Sequence, residues 1–324
     1  MPHLPYPKGP LGAGGELAIV PSKLQDLSSA VRELVHDGDT VVMEGFTHLI
    51  PFAAGHEVIR QRIRDLTVVR LTPDLIYDQM IAAGCCRKAV FSWAGNPGAG
   101  SLYGFRRAVE KGIPHRIEIE EYSHFGLAMR LFAGASGLPF MPLRTYSGSD
   151  LPRVNPGIQP ITCPFSGESL HAVSALTPDV AIVHVQRADE EGNAHVWGLL
   201  GLQREAAFAS RRVILTVEEI VAPEVIRSDP NRTIIPSPIV SAVCLVPFGA
   251  HPSYAQGYYD RDTEFYVSWE EIARDADHLN AWLDEWVHGV PDRAAYARKL
   301  GRDRVAALEP GLKLSSPVNY GSYQ

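Results

Sequence analysis

Eight short runs of β-branched or apolar residues, separated by amphipathic or polar stretches, dominate the pattern along the chain. In order they read "TVVMEGF", "LTVVRL", "KAVFSW", "RIEIEEY", "FMPLRTY", "VAIVHVQ", "RVILTV" and "AVCLVPF". Strands that are apolar at nearly every position, rather than at every second one, suit a parallel sheet covered by helices on both faces. We therefore predict an α/β fold with an open, mostly parallel sheet flanked by helices.

Helical periodicity fills the segments between these runs. In "SKLQDLSSAVRELV" the apolar residues share one stripe, which predicts a helix with Ser22 as its N-cap. The segment "AAGHEVIRQRI" predicts the helix after the first strand, and "SWEEIARDADHLNAWLDEWVHGV" predicts one closing helix. Residues 1–20 are rich in proline and glycine and are expected to form a flexible tail. We expect one folded domain over residues 21–300 and a C-terminal tail over 301–324.

Composition excludes several classes of protein. The net charge is -7 and no block of Lys and Arg exceeds two residues, so the chain lacks the footprint of a nucleic-acid binder. The sequence contains neither a long apolar span nor a signal-peptide pattern, which predicts a cytoplasmic protein that does not enter the membrane. The four cysteines are scattered, and the histidines lack zinc-ligand spacing, so we expect neither a disulfide framework nor a metal site.

The stretch "DGDTVVMEGFTHLIPFAAGHEVIR", residues 37–60, predicts a strand that ends at a glycine and leads into a helix. In open α/β sheets, ligands bind at the carboxyl ends of the strands. Glu44 lies at such an end, where a carboxylate can act as a nucleophile, as an acid, or as the partner of a Lys or Arg in the sheet. The residue types alone do not rank these roles. The candidates for ligand contact here are Glu44, Gly45, Phe46, Thr47 and His48.

Two further strand ends carry candidate chemistry. The glycine-rich turn in "SWAGNPGAGSLYGFRRAVE" allows a ligand to approach backbone N–H groups, although its spacing matches no dinucleotide- or phosphate-binding motif. The segment "EIEEYSHFG" places His124 near Glu120 and Glu121, an arrangement suited to proton transfer or to holding a carboxylate. The nucleophile elbow G-x-S-x-G is missing, which disfavours an α/β-hydrolase mechanism.

Several long segments resemble one family. In order along residues 22–300, "EGFTHLIPFAA", "LTPDLIYD", "GASGLPFMPLR", "CPFSGESLHAV", "PDVAIVHVQRADEEGNAHVWG", "TVEEIV" and "VPFGAHPSYAQGYYDRD" are similar to the A subunit of family I CoA-transferases of the glutaconate type. Within that family, "EGFTHLIP", "TPDLIYD", "GSDLPRVNP" and "AHPSYAQGYY" are most similar to the branch that acts on 3-oxoadipate in aromatic degradation (the β-ketoadipate pathway).

The resemblance implies an enzyme that moves CoA from succinyl-CoA, or another acyl-CoA, to a 3-oxo or dicarboxylic acid, with 3-oxoadipate expected first and glutaconate as the alternative acceptor. It implies a B-subunit partner, in a heterodimer, a heterotetramer or a larger assembly, and places the nucleophilic glutamate on that partner. CoA thioesters are then substrates, and no permanently bound cofactor is expected. Relatives on the same scaffold make acyl-CoA hydrolysis, of the ring-cleaving type, or decarboxylation, of the methylglutaconyl-CoA type, the competing activities.

The same resemblance assigns expected roles to residues of this chain. The family's motif at residues 44–47 is commonly Gly-Gly-Phe-Thr, so a carboxylate at Glu44 is not required for the family mechanism and is instead expected to tune substrate choice. The loop after the third strand matches "AGNPGAGS", which implies contacts from Asn96, Gly98 and Ser101 to the acyl chain or its distal carboxylate. His124 falls at a position that is polar in relatives and remains a candidate for substrate binding.

Overall fold

A computed structural model describes residues 22–97 and 100–310 of the chain. Its strands are β1 Thr40–Glu44, β2 Leu66–Val69, β3 Cys86–Phe91, β4 Glu118–Glu121, β5 Phe140–Leu143, β6 Ile158–Thr162, β7 Ser169–Ser174, β8 Val180–Ala188, β9 Ala194–His195, β10 Arg212–Ile220, β11 Thr233–Ile235 and β12 Ala242–Leu245. Its α-helices are α1 Leu27–Leu34, α2 Phe52–Arg60, α3 Leu75–Ala82, α4 Tyr103–Lys111, α5 His124–Ala135, α6 Leu151–Val154, α7 Gln203–Ala209, α8 Pro223–Ser228, α9 Thr263–Arg274, α10 Ala276–Leu283, α11 Arg293–Leu300 and α12 Arg302–Ala307.

The main sheet confirms the predicted fold class. Seven parallel strands follow the order β12-β10-β8-β1-β2-β3-β4, and the short antiparallel strands β9 and β11 extend the sheet beside the far end of β8. Each of the eight predicted runs contains a strand. Along β1, Val41 and Met43 belong to one buried cluster and Val42 to another, so both faces are covered and continuous apolar runs result. Helices α1 to α4, α9 and α10 contribute to the first cluster, and α5, α7, α11 and α12 to the second.

Three local predictions were wrong. The first helix begins at Leu27 with Asp26 as its N-cap, because Leu24 instead pairs with Val243 at the edge of the sheet. The closing helix is broken into α9 and α10, since the side chain of Asp275 accepts a hydrogen bond from His278 N–H and starts a new helix. The run at 140–143 does not join the parallel sheet.

That run forms β5 of a separate three-stranded antiparallel sheet with the order β5-β7-β6. Both outer strands contain a proline, Pro142 in β5 and Pro160 in β6. Proline is tolerated at such edges because an outward-facing nitrogen needs no partner in the ladder. The sheet packs beside α5 on one side of the molecule.

The ends of the chain bear on the predicted boundaries. Residues 1–20, predicted to be a flexible tail, lie outside the described residues. Within 301–324, predicted to be a C-terminal tail, residues 302–307 form α12, and Arg304 pairs with Asp262 at 2.7 Å. The folded part therefore continues beyond residue 300. In the ranges that the structure describes, no helix has the length and apolar character needed to cross a membrane.

Candidate active site

Glu44 ends β1 as predicted, but its carboxylate faces the protein. Only 2% of the residue is exposed, Leu71 N–H donates to Oε1 at 3.2 Å, and Gly45 N–H donates to Oε2 at 3.3 Å. Burial raises the pKa of Glu44, against the opposing charge of Arg70 and the N–H donors. Glu44 therefore links the ends of β1 and β2, and both of its oxygens are engaged within the chain.

A buried arginine lies beside Glu44. Arg70 follows β2 directly, donates from Nη1 to Asp74 Oδ1 at 3.0 Å, and donates from Nη2 to the carbonyl of Gly45. The side chains of Arg70 and Asp74 are each only 1% exposed. Two carboxylates and one guanidinium are thus buried together beneath the loop that follows β1. This group of Glu44, Arg70 and Asp74 fixes the direction in which the loop leaves the sheet.

The loop after β1 is a tight turn that depends on Gly45. A Cβ atom at Gly45 would lie 2.6 Å from the carbonyl oxygen of His48 and 2.7 Å from that of Leu49, closer than side-chain carbons come to backbone atoms. Thr47 and Leu49 both adopt positive φ angles, 56° and 54°. The turn directs Phe46 outward, where 39% of it is exposed.

His48 holds this loop to two distant segments of the chain. Its Nδ1 donates to the carbonyl of Leu199 at 2.9 Å, and its Nε2 accepts from Gln256 N–H at 3.0 Å. Burial lowers the pKa of His48 to about 4, although the hydrogen bond to Leu199 opposes that shift. The ring is therefore neutral at neutral pH, with each nitrogen occupied. His48 positions the loop, while Thr47 is anchored through its carbonyl by Ser253 Oγ at 2.8 Å.

The loop after β3 is held to α9. Asn96 donates from Nδ2 to the carbonyl of Tyr266 at 2.6 Å, and its backbone N–H donates to the carbonyl of Gly100 at 3.0 Å. Asn96 Oδ1 is buried and has no hydrogen-bond partner among the described residues, so a bound donor would satisfy it. Ser101 is partly exposed in the same loop. Gly98, the third candidate of this motif, lies outside the described residues.

His124 lies away from this group. It is the exposed first residue of α5, after β4, which is three strands from β1, so about 14 Å separates the two positions in the sheet. The neighbouring Glu120 is bound by Arg130 at 2.7 Å and by Tyr122 Oη at 2.5 Å, and it also pairs with Lys88. The structure does not bring His124 together with Glu44, and Glu120 is committed to these partners.

Another buried carboxylate, Glu218, lies within β10. It binds His184 Nε2 at 2.6 Å and Tyr259 Oη at 2.6 Å, and it accepts from Phe248 N–H at 2.7 Å. Burial alone would raise the pKa of Glu218, but the hydrogen bonds from His184 and Tyr259 outweigh it and hold the pKa below its usual value. Glu218 thereby anchors the start of the segment 248–262, which packs on the loop after β1.

Three residues that were not among the sequence-based candidates belong to this site. Arg70 and Asp74 follow β2, and Arg261 lies between Pro97 and Tyr266. The rule that residues just after each strand carry the chemistry points to the first two. Arg261 comes from the irregular segment "PFGAHPSYAQGYYDRD", where no pattern ranks one polar residue above another.

A cavity of about 680 Å³ lies elsewhere, between α1, α2 and the start of α11. Its polar lining includes Glu57, Arg60 and Arg293, and none of the candidate residues lines it. The cavity is therefore separate from the site at the carboxyl ends of β1 to β3.

Comparison with known proteins identifies the class to which this fold and site belong. Residues 24–245 match the family model for coenzyme A transferase, and the chain belongs to that family. It is 54% identical to the A subunit of 3-oxoadipate CoA-transferase from Pseudomonas knackmussii, over 87% of this chain and 100% of the relative. It is 33% identical to the A subunit of glutaconate CoA-transferase from Acidaminococcus fermentans, over 90% of this chain and 96% of that one.

The crystal structure of the Acidaminococcus fermentans glutaconate CoA-transferase superimposes with a TM-score of 0.86 over 90% of this chain and 97% of the matched chain. A cholesterol ring-cleaving hydrolase IpdA subunit from Mycobacterium tuberculosis is 31% identical over 88% of this chain and 100% of its own length. The relatives of this chain therefore include proteins named for hydrolysis as well as proteins named for CoA transfer.

Proposed function

We propose that the chain is the A subunit of a heteromeric CoA-transferase that moves CoA from succinyl-CoA to 3-oxoadipate, in complex with a B subunit. The observation that carries this proposal is the 54% identity along the full length of a relative named for 3-oxoadipate CoA transfer. The arrangement of the site supports it, because the loop after β1 directs the apolar side chain of Phe46 outward, where a partner subunit can cover it.

Large apolar side chains project from the same edge of the molecule as the candidate site. They lie in the loops after β1, β3 and β9 and in the first turn of α5, and each is between 39% and 54% exposed: Phe46, Trp93, Phe125, Leu199 and Leu200. Leu199 is linked to the loop after β1 through His48. Exposed apolar groups that cluster around a functional edge are typical of a protein interface. This edge is the surface that we propose the B subunit covers.

In the proposed reaction, the thioester carbonyl of succinyl-CoA is attacked by a glutamate of the B subunit. The C–S bond breaks, leaving an acyl-glutamyl anhydride and CoA thiolate. The thiolate then attacks the glutamyl carbonyl, which releases succinate and forms a glutamyl-CoA thioester, and the acceptor acid takes CoA by the reverse sequence. The present chain contributes the wall of the acyl pocket, through Phe46, Thr47, Asn96 and Ser101.

An acceptor screen with the co-purified A/B complex tests this proposal. With succinyl-CoA as donor, 3-oxoadipate is expected to show the highest kcat/KM in a set of dicarboxylic, 3-oxo and monocarboxylic acids that includes glutaconate. Formation of each acyl-CoA product is followed by liquid chromatography. Release of free CoA at the same rate without any acceptor would contradict transfer and indicate a hydrolase.

Glu44 is proposed to set acceptor preference in two ways, through its charge and by holding the loop after β1. In the variant Glu44→Gly, Leu71 N–H loses its buried acceptor, which lowers the free energy of unfolding by about 1–3 kcal/mol. Arg70 remains paired with Asp74. We expect transfer to persist, with the preference between acids changed roughly 3- to 10-fold, as expected for moving or removing one nearby charge.

The matched variant Glu44→Gln keeps the length of the side chain and removes its charge. It therefore separates the effect of the charge from the effect of the side chain on the position of the loop. Both variants are measured in the same acceptor screen as the wild-type complex. Complete loss of transfer in an intact Glu44→Gln complex would make Glu44 catalytic rather than selective.

A further inference from the structure

Arg261 lies between two loops of the candidate site. Its Nη2 donates to the carbonyl of Pro97 at 2.7 Å, in the loop after β3, and its guanidinium carbon lies 4.1 Å from the centre of the Tyr266 ring. Tyr254, seven residues earlier, packs against His48 with the rings tilted by 32° and their centres 4.6 Å apart. The positive charge of Arg261 opposes the effect of burial, which raises the pKa of both Tyr254 and Asp74. Its side chain therefore contacts the loop after β3 and lies near Asp74, which follows β2, and near Tyr254, which packs on the loop after β1.

Arg261 lacks the acidic partner that neighbouring arginines have. Arg70 pairs with Asp74 at 3.0 Å and Arg304 with Asp262 at 2.7 Å, whereas no carboxylate within the described ranges 22–97 and 100–310 lies within 4.0 Å of a nitrogen of Arg261. The residue is half-buried, and the bond to Pro97 uses only one of its five N–H groups. A guanidinium that lies over a ring and is shielded in part from water is well suited to bind a carboxylate through two parallel hydrogen bonds.

The other charged groups at this edge are less suited to such a role. Arg70 is only 1% exposed and is occupied by Asp74 and the carbonyl of Gly45. His124 lies after β4, beyond the loop that Arg261 contacts. A dicarboxylic acyl group brings a second carboxylate into the pocket, and burying that charge is favourable only when a cation meets it.

We propose that Arg261 binds the non-reacting carboxylate of the acyl group and makes the enzyme selective for dicarboxylic over monocarboxylic acids. This inference rests on the proposed transferase function. Arg261 is then a specificity residue that contacts substrate. Its hydrogen bond to Pro97 and its contact with the Tyr266 ring position the guanidinium for that role.

The test compares two acceptors of equal length in the A/B complex: 3-oxoadipate and 3-oxohexanoate, which replaces the distal carboxylate with a methyl group. In Arg261→Gln, kcat/KM for 3-oxoadipate is expected to fall roughly 10- to 100-fold while that for 3-oxohexanoate stays unchanged, because only the diacid loses a charge-assisted contact. For Arg261→Lys, kcat/KM for 3-oxoadipate is expected to lie between the values for the wild type and Arg261→Gln. Lysine keeps the positive charge but cannot form the two parallel hydrogen bonds of a guanidinium. In a ping-pong reaction, kcat/KM for the acceptor reports only the half-reaction that consumes it, so a slower donor step does not affect the comparison.

Arg274→Gln is the matched control, because Arg274 also lies over a tyrosine, Tyr103, but at the exposed end of α9. It is expected to leave both acceptors unchanged, and thermal melting of each complex checks folding. Equal losses of kcat/KM for both acids in Arg261→Gln, or no loss for either, would overturn the inference. Arg261 would then have only a structural role in linking the loops. If the wild-type complex transfers CoA to neither acid, the proposed function itself fails, and the inference fails with it.

Discussion

Purified without a partner, the chain is expected to transfer no CoA from succinyl-CoA to 3-oxoadipate, whereas the A/B complex is expected to be active. The reason is the state of its buried carboxylates. A nucleophilic carboxylate must be ionised and must reach the thioester, yet Glu44 is 2% exposed with both oxygens bound, and Glu218 is held by His184, Tyr259 and a backbone N–H.

The measurement is acyl-CoA formation by this chain on its own, by the B subunit on its own, and by the two mixed after separate purification. Recovery of activity on mixing is the control that the isolated chain was correctly folded. Turnover by this chain alone would show that a nucleophile lies within it, and Glu44 would then be the first residue to replace.

Loss of Arg70 is expected to cause the largest change in stability. In Arg70→Met, Glu44 and Asp74 stay buried without their cation, and breaking a buried ion pair from one side costs about 3–5 kcal/mol. Methionine has a similar length and fills much of the same space, so the loss reports charge rather than a cavity. Urea unfolding is the measurement, and the midpoint is expected to fall while the slope with denaturant stays constant.

Arg87→Met provides the control for that experiment. Arg87 pairs with Glu118 at 3.3 Å, but the two side chains are 47% and 63% exposed. Removing an exposed pair costs about 0–1 kcal/mol, since water screens both charges. Similar losses in the two variants would contradict the view that Arg70 neutralises the carboxylates beneath the loop.

The parallel sheet could be predicted from sequence because its strands are buried on both faces. Runs such as "VAIVHVQ" are then apolar at consecutive positions, and their short length and β-branched residues favour a buried strand over a buried helix. The small antiparallel sheet is harder to predict, because its strands are partly exposed. Only β5 falls within one of the eight runs, while β6, which contains Pro160, and β7 have no continuous apolar run. The break at Asp275 is hidden for a related reason: Ala273 and Leu279, on either side of it, are both buried, so the apolar pattern runs through the break.

The candidate site could be located by the rule that ligands bind at strand ends, but its details could not. Glu44 does end a strand at the functional edge, but whether its side chain faces a ligand or the protein depends on Arg70, which no local pattern connects to it. His48 looks like a group available to substrate until the contacts with Leu199 and Gln256 are known. Arg261 gains its importance from Pro97, more than 160 residues away. Such long-range pairings carry no periodic signal in one sequence.

The prolines in the small antiparallel sheet affect what happens when this chain is synthesised in excess of its partner. A surplus copy keeps its apolar edge uncovered, and an open strand edge on the same molecule would allow copies to pair edge to edge. Pro142 and Pro160 interrupt the row of N–H groups on the two outer strands, so neither edge offers a continuous template to another strand. Strand pairing between surplus chains is therefore not expected at the outer strands of this small sheet.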